Sequence, residues 1–150
     1  MIPVRQPDAP STNRHASDAG FTLVEMLVVL GIIALIAALV GPQLIKYLGK
    51  AKSETAAVQV GNLTAALDVY YLDTGRYPTT QEGLGALMHA PQDAKRWTGP
   101  YLRKAEGLVD PWGRPYLYLA PGAHGEFDIF SYGRDGQAGG AGDDRDIVSW

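Results

Sequence analysis

The feature that most constrains this chain is an apolar segment that begins at Phe21 and ends at Gly41. Only Thr22 and Glu25 carry strongly polar side chains within it. A helix of about 20 apolar residues crosses the hydrocarbon core of a bilayer. A secretory signal peptide has a shorter apolar core of roughly 7–15 residues, and a helix buried in a globular domain usually keeps one polar face. The segment therefore predicts a membrane-spanning helix.

Glu25 is an unusual residue for such a helix. An ionised carboxylate in an apolar environment is costly unless an opposite charge or hydrogen-bond donors meet it. Residues 26–41 carry no charge at all, so Glu25 stands alone on the segment. We therefore expect Glu25 to have a functional role.

Apolar residues continue beyond Pro42 in steps of three and four, which is the spacing of one helical stripe. Gly75 is typical of a helix C-terminus. These signals predict one helix over residues 22–74, roughly 80 Å long at about 1.5 Å per residue. Because proline lacks an amide hydrogen, we expect a kink or local melting at Gly41-Pro42. The stripe, which requires a covering layer, consists of Leu44, Ile45, Leu48, Ala51, Val60, Leu63, Leu67 and Tyr70.

The C-terminal half predicts a small antiparallel sheet. Two strands are expected at residues 116–119 and 127–131, with Pro121, Gly122 and Gly125 forming a hairpin loop between them. Residues 147–150 predict a third strand or a docked tail, and residues 80–88 a short helix. The predicted fold class is α+β, with a long N-terminal helix whose first half spans the membrane and which packs on this sheet.

Composition excludes several functions. The net charge is -3 with dispersed charges, which does not suit nucleic acid, and the chain has no cysteine for a disulfide, a nucleophile or a thiolate metal site. His15, His89 and His124 are scattered and belong to no catalytic motif. We therefore predict a protein that is not an enzyme.

Residues 135–146, D-G-Q-A-G-G-A-G-D-D-R-D, form a glycine-rich acidic loop. Ca²⁺ takes roughly 6–8 oxygen ligands from carboxylates and carbonyls, and glycines let carbonyls turn inward. The spacing is not that of an EF-hand, so the residues alone leave open a calcium site or a solvated loop. The candidate carboxylates are Asp135, Asp143, Asp144 and Asp146.

The motif G-F-T-L-V-E, from Gly20 to Glu25, resembles the prepilin peptidase site of type IV pilins and type II secretion pseudopilins. The resemblance implies cleavage after Gly20 and N-methylation of Phe21. It also implies that Glu25 pairs with the terminal amine of a neighbouring subunit during assembly. The implied organisation is a leader over residues 1–20, a transmembrane and later fibre-core helix over 21–41, and a periplasmic domain over 42–150.

Three further motifs, G-R-Y-P-T-T, D-P-W-G-R-P-Y and D-I-F-S-Y-G-R-D-G, resemble the major pseudopilins of type II secretion systems. This resemblance implies a structural subunit of the pseudopilus, which moves folded proteins across the outer membrane. It also implies one structural Ca²⁺, held by Asp135 and the carbonyls of Tyr132 and Gln137. Asp143 or Asp144 completes the site, and Asp146 is a ligand or a structural cap. The alternatives are a type IV pilin, a minor pseudopilin or, in a different class, a signal-anchored periplasmic binding protein.

The implied partners are further copies of the chain, minor pseudopilins, an inner-membrane assembly platform and the prepilin peptidase/methyltransferase. Membrane lipid surrounds the helix before assembly, and no nucleic acid is expected. The implied location is the inner membrane, crossed once, with the C-terminal domain in the periplasm. Basic residues that flank a membrane helix tend to lie on the cytoplasmic side. Because Lys46, Lys50 and Lys52 follow the apolar segment, the count of basic residues favours a cytoplasmic C-terminal domain. The expected topology therefore rests on the peptidase motif.

Overall fold

Residues 21–150 are described by a computed structural model. The predicted leader, residues 1–20, lies outside the described residues. The chain divides into two units, Met1–Leu39 and Val40–Trp150. Helix α1, Leu23–Thr74, begins in the first unit and ends in the second.

The bounds of α1 confirm the helix predicted over residues 22–74. The helix ends at Gly75, whose φ of 79° is a left-handed conformation that suits glycine, and the Gly75 amide donates to the Tyr71 carbonyl at 2.8 Å. The chain stays helical through Gly41 and Pro42, so the local melting suggested for this pair is absent. A proline removes one donor, and a helix with 52 residues tolerates that single loss.

The part of α1 in the first unit is apolar and exposed. Its apolar side chains range from 41% exposed at Met26 to 82% at Leu23. An 18-residue window has a mean hydropathy of 2.9 and no buried residue, which by length and composition is enough to cross a membrane. This agrees with the membrane-spanning helix that the sequence predicts.

The second unit has its core between the end of α1 and a three-stranded sheet. The helix contributes Val60, Leu63, Leu67 and Tyr70, all at most 3% exposed. The spacing of three and four residues places them on one face of the helix. The sheet and the segment that precedes it complete the cluster with Leu84, Leu87, Tyr116, Tyr118, Ile129 and Ile147.

The sheet has the order β1-β2-β3 and is antiparallel throughout. The strands are β1, Leu117–Leu119, β2, Asp128–Ser131, and β3, Ile147–Val148. The predicted hairpin and third strand are thus confirmed. Leu117 pairs with Phe130, and Phe130 pairs with Val148. Tyr118 is buried while its neighbours Leu117 and Leu119 are about 40% exposed, which is the alternation of a sheet with one covered face.

Two sequence predictions are wrong in detail. The stripe predicts that Leu44, Ile45, Leu48 and Ala51 lie under the covering layer, but all four are exposed, the first three by 57–66%. Buried helix positions in this unit begin only at Ala56. The helix predicted over residues 80–88 is a single 3-10 turn, Leu84–Leu87. Gly83 precedes this turn and Gly85 lies within it, and glycine lowers helix stability.

Candidate functional site

The start of α1 forms a capping box between Thr22 and Glu25. The Thr22 amide donates to Glu25 Oε2 at 2.9 Å, and the Glu25 amide donates to Thr22 Oγ1 at 3.1 Å. The Thr22 hydroxyl lies 3.0 Å from the same Oε2. These bonds satisfy donors that a helix N-terminus otherwise leaves free. Glu25 therefore has hydrogen-bond partners within its own chain, while Phe21 beside it is 78% exposed.

The acidic loop returns along itself between β2 and β3. The Arg134 amide donates to the Asp143 carbonyl at 3.1 Å, which joins the start of the loop to its end. Gly136, Gly139 and Gly140 have positive φ, and so does Gly142, which begins a 3-10 turn, Gly142–Asp144. That conformation is strained for residues with a side chain, so the glycines permit the path of this loop.

The carboxylates of Asp143 and Asp144 face Arg134. Asp144 accepts two hydrogen bonds from the guanidinium, at 2.8 Å from Nε and 2.9 Å from Nη2. Asp143 Oδ2 lies 3.6 Å from Nη1. The hydrogen bonds from Arg134 hold the pKa of Asp144 below its usual range, and those to Asp144 raise the pKa of Arg134.

Asp135 and Asp146 lie elsewhere in the same loop. Asp135 Oδ1 accepts from the Gln137 amide at 3.0 Å, and Asp146 Oδ2 accepts from the Gly139 amide at 2.9 Å. Asp146 Oδ1 is buried and has no hydrogen-bond partner in the described part of the chain. Among residues 21–150, no three acidic or histidine side chains come close enough together to hold a metal ion. The four predicted carboxylates therefore lie in one loop, but no three of them converge within the described residues.

The D-P-W-G-R-P-Y motif supports the beginning of this loop. Asp110 is 4% exposed, and its carboxylate accepts from the amides of Trp112 and Arg114 and, at 2.6 Å, from the Ser131 hydroxyl. Arg114 in turn donates to the Gly133 carbonyl. Asp110 therefore stabilises the turn before β1, and the motif links this turn to the end of β2.

A second buried carboxylate organises the β1-β2 hairpin loop. Asp128 is 2% exposed and accepts from the Ala123 amide at 2.8 Å, and its Oδ2 lies 3.1 Å from His124 Nδ1. Burial acts to raise the pKa of Asp128, but the hydrogen bonds from His124 and Ala123 lower it on balance. The His124 ring stacks on Trp150 with centroids 3.8 Å apart. His124 therefore contributes to the packing of the hairpin loop against the C-terminal Trp150.

Sequence reasoning missed two ion pairs near these sites. Arg76 donates to both Glu82 oxygens at 2.6 and 2.7 Å, and Glu82 also forms a capping box with Thr79. The Thr-x-x-Glu spacing was a signal for the box. Arg134 was overlooked as a partner of the loop carboxylates, although it stands next to Asp135 in the sequence.

Comparison with known proteins assigns both parts of the chain. The family model "Type II secretion system (T2SS), protein G" matches residues 43–150, and the model "Prokaryotic N-terminal methylation motif" matches residues 15–41. The first match covers the whole packed domain. The second covers the peptidase-type motif and the apolar segment.

Similar curated proteins include the type II secretion system core protein G of Pseudomonas aeruginosa, which is 46% identical over 141 residues, or 91% of this chain and 98% of that protein. The core protein G of Aeromonas hydrophila is 43% identical over 136 residues, or 88% and 92%. That of Vibrio cholerae is 41% identical over 134 residues, or 87% and 90%.

A solved structure agrees with these matches. The crystal structure of the major pseudopilin from the type 2 secretion system of enterohaemorrhagic Escherichia coli superposes with a TM-score of 0.59 at 35% identity. The match covers 73% of this chain and 95% of that one. The long helix and small antiparallel sheet are therefore a pseudopilin fold, and this chain belongs to the type II secretion system protein G family.

Proposed function

We propose that this chain is the structural subunit that polymerises into the periplasmic pseudopilus of a type II secretion system. Growth and disassembly of the fibre then move folded proteins across the outer membrane. The chain itself catalyses nothing, and the energy comes from an ATPase among its partners. The other partners are minor pseudopilins and an inner-membrane assembly platform.

One observation carries this proposal. The first unit exposes an apolar helical segment, with Leu35 and Leu39 both 73% exposed, while the second unit buries its own core. Exposed apolar area of this extent is unfavourable in water, so lipid or other protein must cover it. Membrane residence followed by packing against further copies provides both covers. The proposed location is the inner membrane, crossed once, with residues 42–150 in the periplasm.

Processing precedes assembly in this proposal. The prepilin peptidase removes residues 1–20 by cutting after Gly20, and the new amine on Phe21 is methylated. The match of residues 15–41 to the N-terminal methylation motif supports this step. Mass spectrometry of the mature chain tests it, since methylated Phe21 is expected at the N-terminus. A chain that retains Met1 or starts elsewhere contradicts it.

Glu25 then has a second partner in the fibre. In the single chain its carboxylate accepts from the Thr22 amide and hydroxyl. We propose that the Phe21 ammonium of a neighbouring copy joins this carboxylate, because an opposite charge stabilises a carboxylate in apolar surroundings. The pairing also fixes the axial register of neighbouring copies.

The test replaces Glu25 with alanine in cells that lack the native chain. We expect Glu25→Ala to be cleaved normally but to lose fibres and secretion, assayed by immunoblot, electron microscopy and the amount of secreted substrate. Glu106→Ala, which removes an exposed carboxylate from a 3-10 turn of the periplasmic domain, is the matched control and should behave as the wild type. Normal fibres with Glu25→Ala would refute the role proposed for this residue.

We also propose one structural Ca²⁺ in the acidic loop. Asp146 Oδ1 is buried and has no hydrogen-bond partner among residues 21–150, and such an oxygen suits a hard cation because a buried oxygen without a donor is unfavourable. Asp135, Asp146 and the carbonyls of Tyr132 and Gln137 would hold the ion, together with Asp143 or Asp144. When bound, the ion supplies a cross-link that this chain, with no cysteine, otherwise lacks.

Calcium removal tests this site. A ligand at about 100 times its Kd stabilises the folded state by about 2.7 kcal/mol, so melting of the full chain in detergent should rise by about 5–10 °C in Ca²⁺ relative to chelator. Asp146→Asn should lose most of this shift, whereas Asp93→Asn, an exposed aspartate in a different loop, should keep it. An equal melting temperature of the wild type with and without Ca²⁺ would exclude the site.

A further inference from the structure

Arg134 is a cation that the chain itself places among the loop carboxylates. Its guanidinium binds both oxygens of Asp144, at 2.8 and 2.9 Å, and lies 3.6 Å from Asp143 Oδ2. Its backbone amide also donates to the Asp143 carbonyl at 3.1 Å. Main chain and side chain of one residue therefore bridge the start and the end of the loop.

The position of the Arg134 guanidinium allows the loop to close, because it offsets repulsion between the carboxylates. Several carboxylates in a short segment repel each other, and a positive charge between them removes much of that repulsion. A guanidinium does so with a planar fork that fits a carboxylate at two points, which a point charge does not. The same two aspartates are the ones from which the calcium site draws a ligand.

We propose that Arg134 closes the acidic loop when no metal is bound, and that it exchanges with Ca²⁺ for Asp143 and Asp144. This inference rests on the calcium site proposed above. Asp144 uses both oxygens for the guanidinium, so its charge is already compensated and it becomes a strong metal ligand only when Arg134 withdraws. Calcium binding in this chain therefore competes with an internal ion pair.

The matched control for Arg134 stands in the same loop. Arg145 is exposed, carries the same charge, and has no ion pair in the described part of the chain. Arg134→Ala and Arg145→Ala thus change net charge equally, and only the first removes the bridge. Arg134→Lys keeps the charge but not the two-point fit.

The experiment measures melting of the full chain and of these variants in detergent, first in chelator and then in saturating Ca²⁺. In chelator we expect Arg134→Ala to melt below Arg145→Ala, with Arg134→Lys between them. In Ca²⁺ we expect Arg134→Ala to recover to the level of Arg145→Ala. Isothermal titration should show several-fold tighter Ca²⁺ binding by Arg134→Ala than by Arg145→Ala, because the competing cation is gone.

Two results would overturn the inference. Equal melting of the two alanine variants in chelator would show that Arg134 does not close the loop. Failure of Arg134→Ala to recover in Ca²⁺, or unchanged Ca²⁺ affinity, would show that the two cations do not exchange. If the chain has no calcium site at all, the result is distinguishable from these two. Neither the wild type nor any variant then changes its melting temperature when Ca²⁺ replaces chelator.

Discussion

The two ends of helix α1 are both rich in apolar residues, yet they meet different surroundings. Leu35, in the first unit, is 73% exposed, whereas Leu67, in the second, is fully buried. The residue type is the same, so the difference lies in the rest of the pattern. Around Leu35 the helix is apolar on every side, while around Leu67 exposed polar residues such as Asn62 and Asp68 leave one face for the core.

The comparison teaches that hydrophobicity alone does not say what a helix packs on. A helix with one apolar face can be satisfied by a single layer, and the sheet of the second unit provides it. A helix that is apolar on all sides needs cover all round, which lipid or several other helices can supply. The pattern with one apolar face therefore serves folding of the subunit, and the pattern that is apolar on all sides serves contacts outside the subunit, as in assembly.

The largest expected effect is a difference in stability between alanine substitutions of Leu67 and Leu35. Leu67→Ala should lower the free energy of unfolding by about 2–5 kcal/mol, because it removes buried methyl groups and leaves a cavity. Leu35→Ala should leave it unchanged, since the side chain is exposed in the single subunit. Urea denaturation of the full chain in detergent, followed by tryptophan fluorescence, measures both. Equal losses of unfolding free energy in the two variants would contradict the distinction between the two parts of α1.

A smaller effect tests where the covered part of the helix begins. The Tyr116 hydroxyl donates to Gln59 Oε1 at 2.7 Å and lies 3.3 Å from the Ala56 carbonyl, which ties the sheet to this part of α1. Tyr116→Phe should cost about 0.5–1.5 kcal/mol in the same denaturation. Tyr47→Phe, at a position 78% exposed, should cost nothing. A loss at Tyr47 equal to that at Tyr116 would move the boundary towards the N-terminus.

The smallest effect concerns the segment just beyond the helix and depends on pH. Hydrogen bonds from Arg76 lower the pKa of Glu82 to about 2 from its ordinary value of 4.5. Its contribution is therefore complete above pH 4.5 and is lost as the pH falls towards 2. Because the Arg76 side chain is 38% exposed, we expect only about 0.5–1 kcal/mol.

Glu82→Gln should therefore be less stable than the wild type at pH 7, and the difference should shrink as the pH falls from 4.5 towards 2, in chemical denaturation at each pH. Glu54→Gln, which removes the more exposed pair with Lys50, is the control and should differ little from the wild type at pH 7. A constant difference between Glu82→Gln and the wild type across this range would show that the ion pair does not carry the effect.

Periodicity predicted most of the fold. The helix bounds, the hairpin and the third strand followed from spacing and turn residues, because these patterns are local. The exposure of Leu44, Ile45 and Leu48 did not follow, since the point at which the sheet stops covering the helix depends on tertiary packing. The continuous helix at Pro42 is a similar case, in which a long helix overrides one unfavourable residue.

The sequence indicated which residues were candidates for the sites, but not which of them contact one another. The residues of the acidic loop could be listed from the sequence, yet the bond between Arg134 and Asp144 joins residues ten apart through a turn that only the folded chain defines. Likewise, the capping box at Thr22 could be read from its spacing, whereas the stack of His124 on Trp150 brings together residues that no local pattern relates. The calcium ion, leader cleavage and methylation stay predictions.

The exposed apolar half of α1 also determines how subunits can be stored. A chain with this segment has no favourable state free in water, so under the proposed function every copy outside a fibre would be held in a bilayer. Confinement to a plane raises the effective concentration of copies relative to the same number dispersed in a volume. In that case the membrane would act as a two-dimensional reservoir, whose area would limit the number of spare subunits. A proposed fibre that shortens would return its copies there without releasing them.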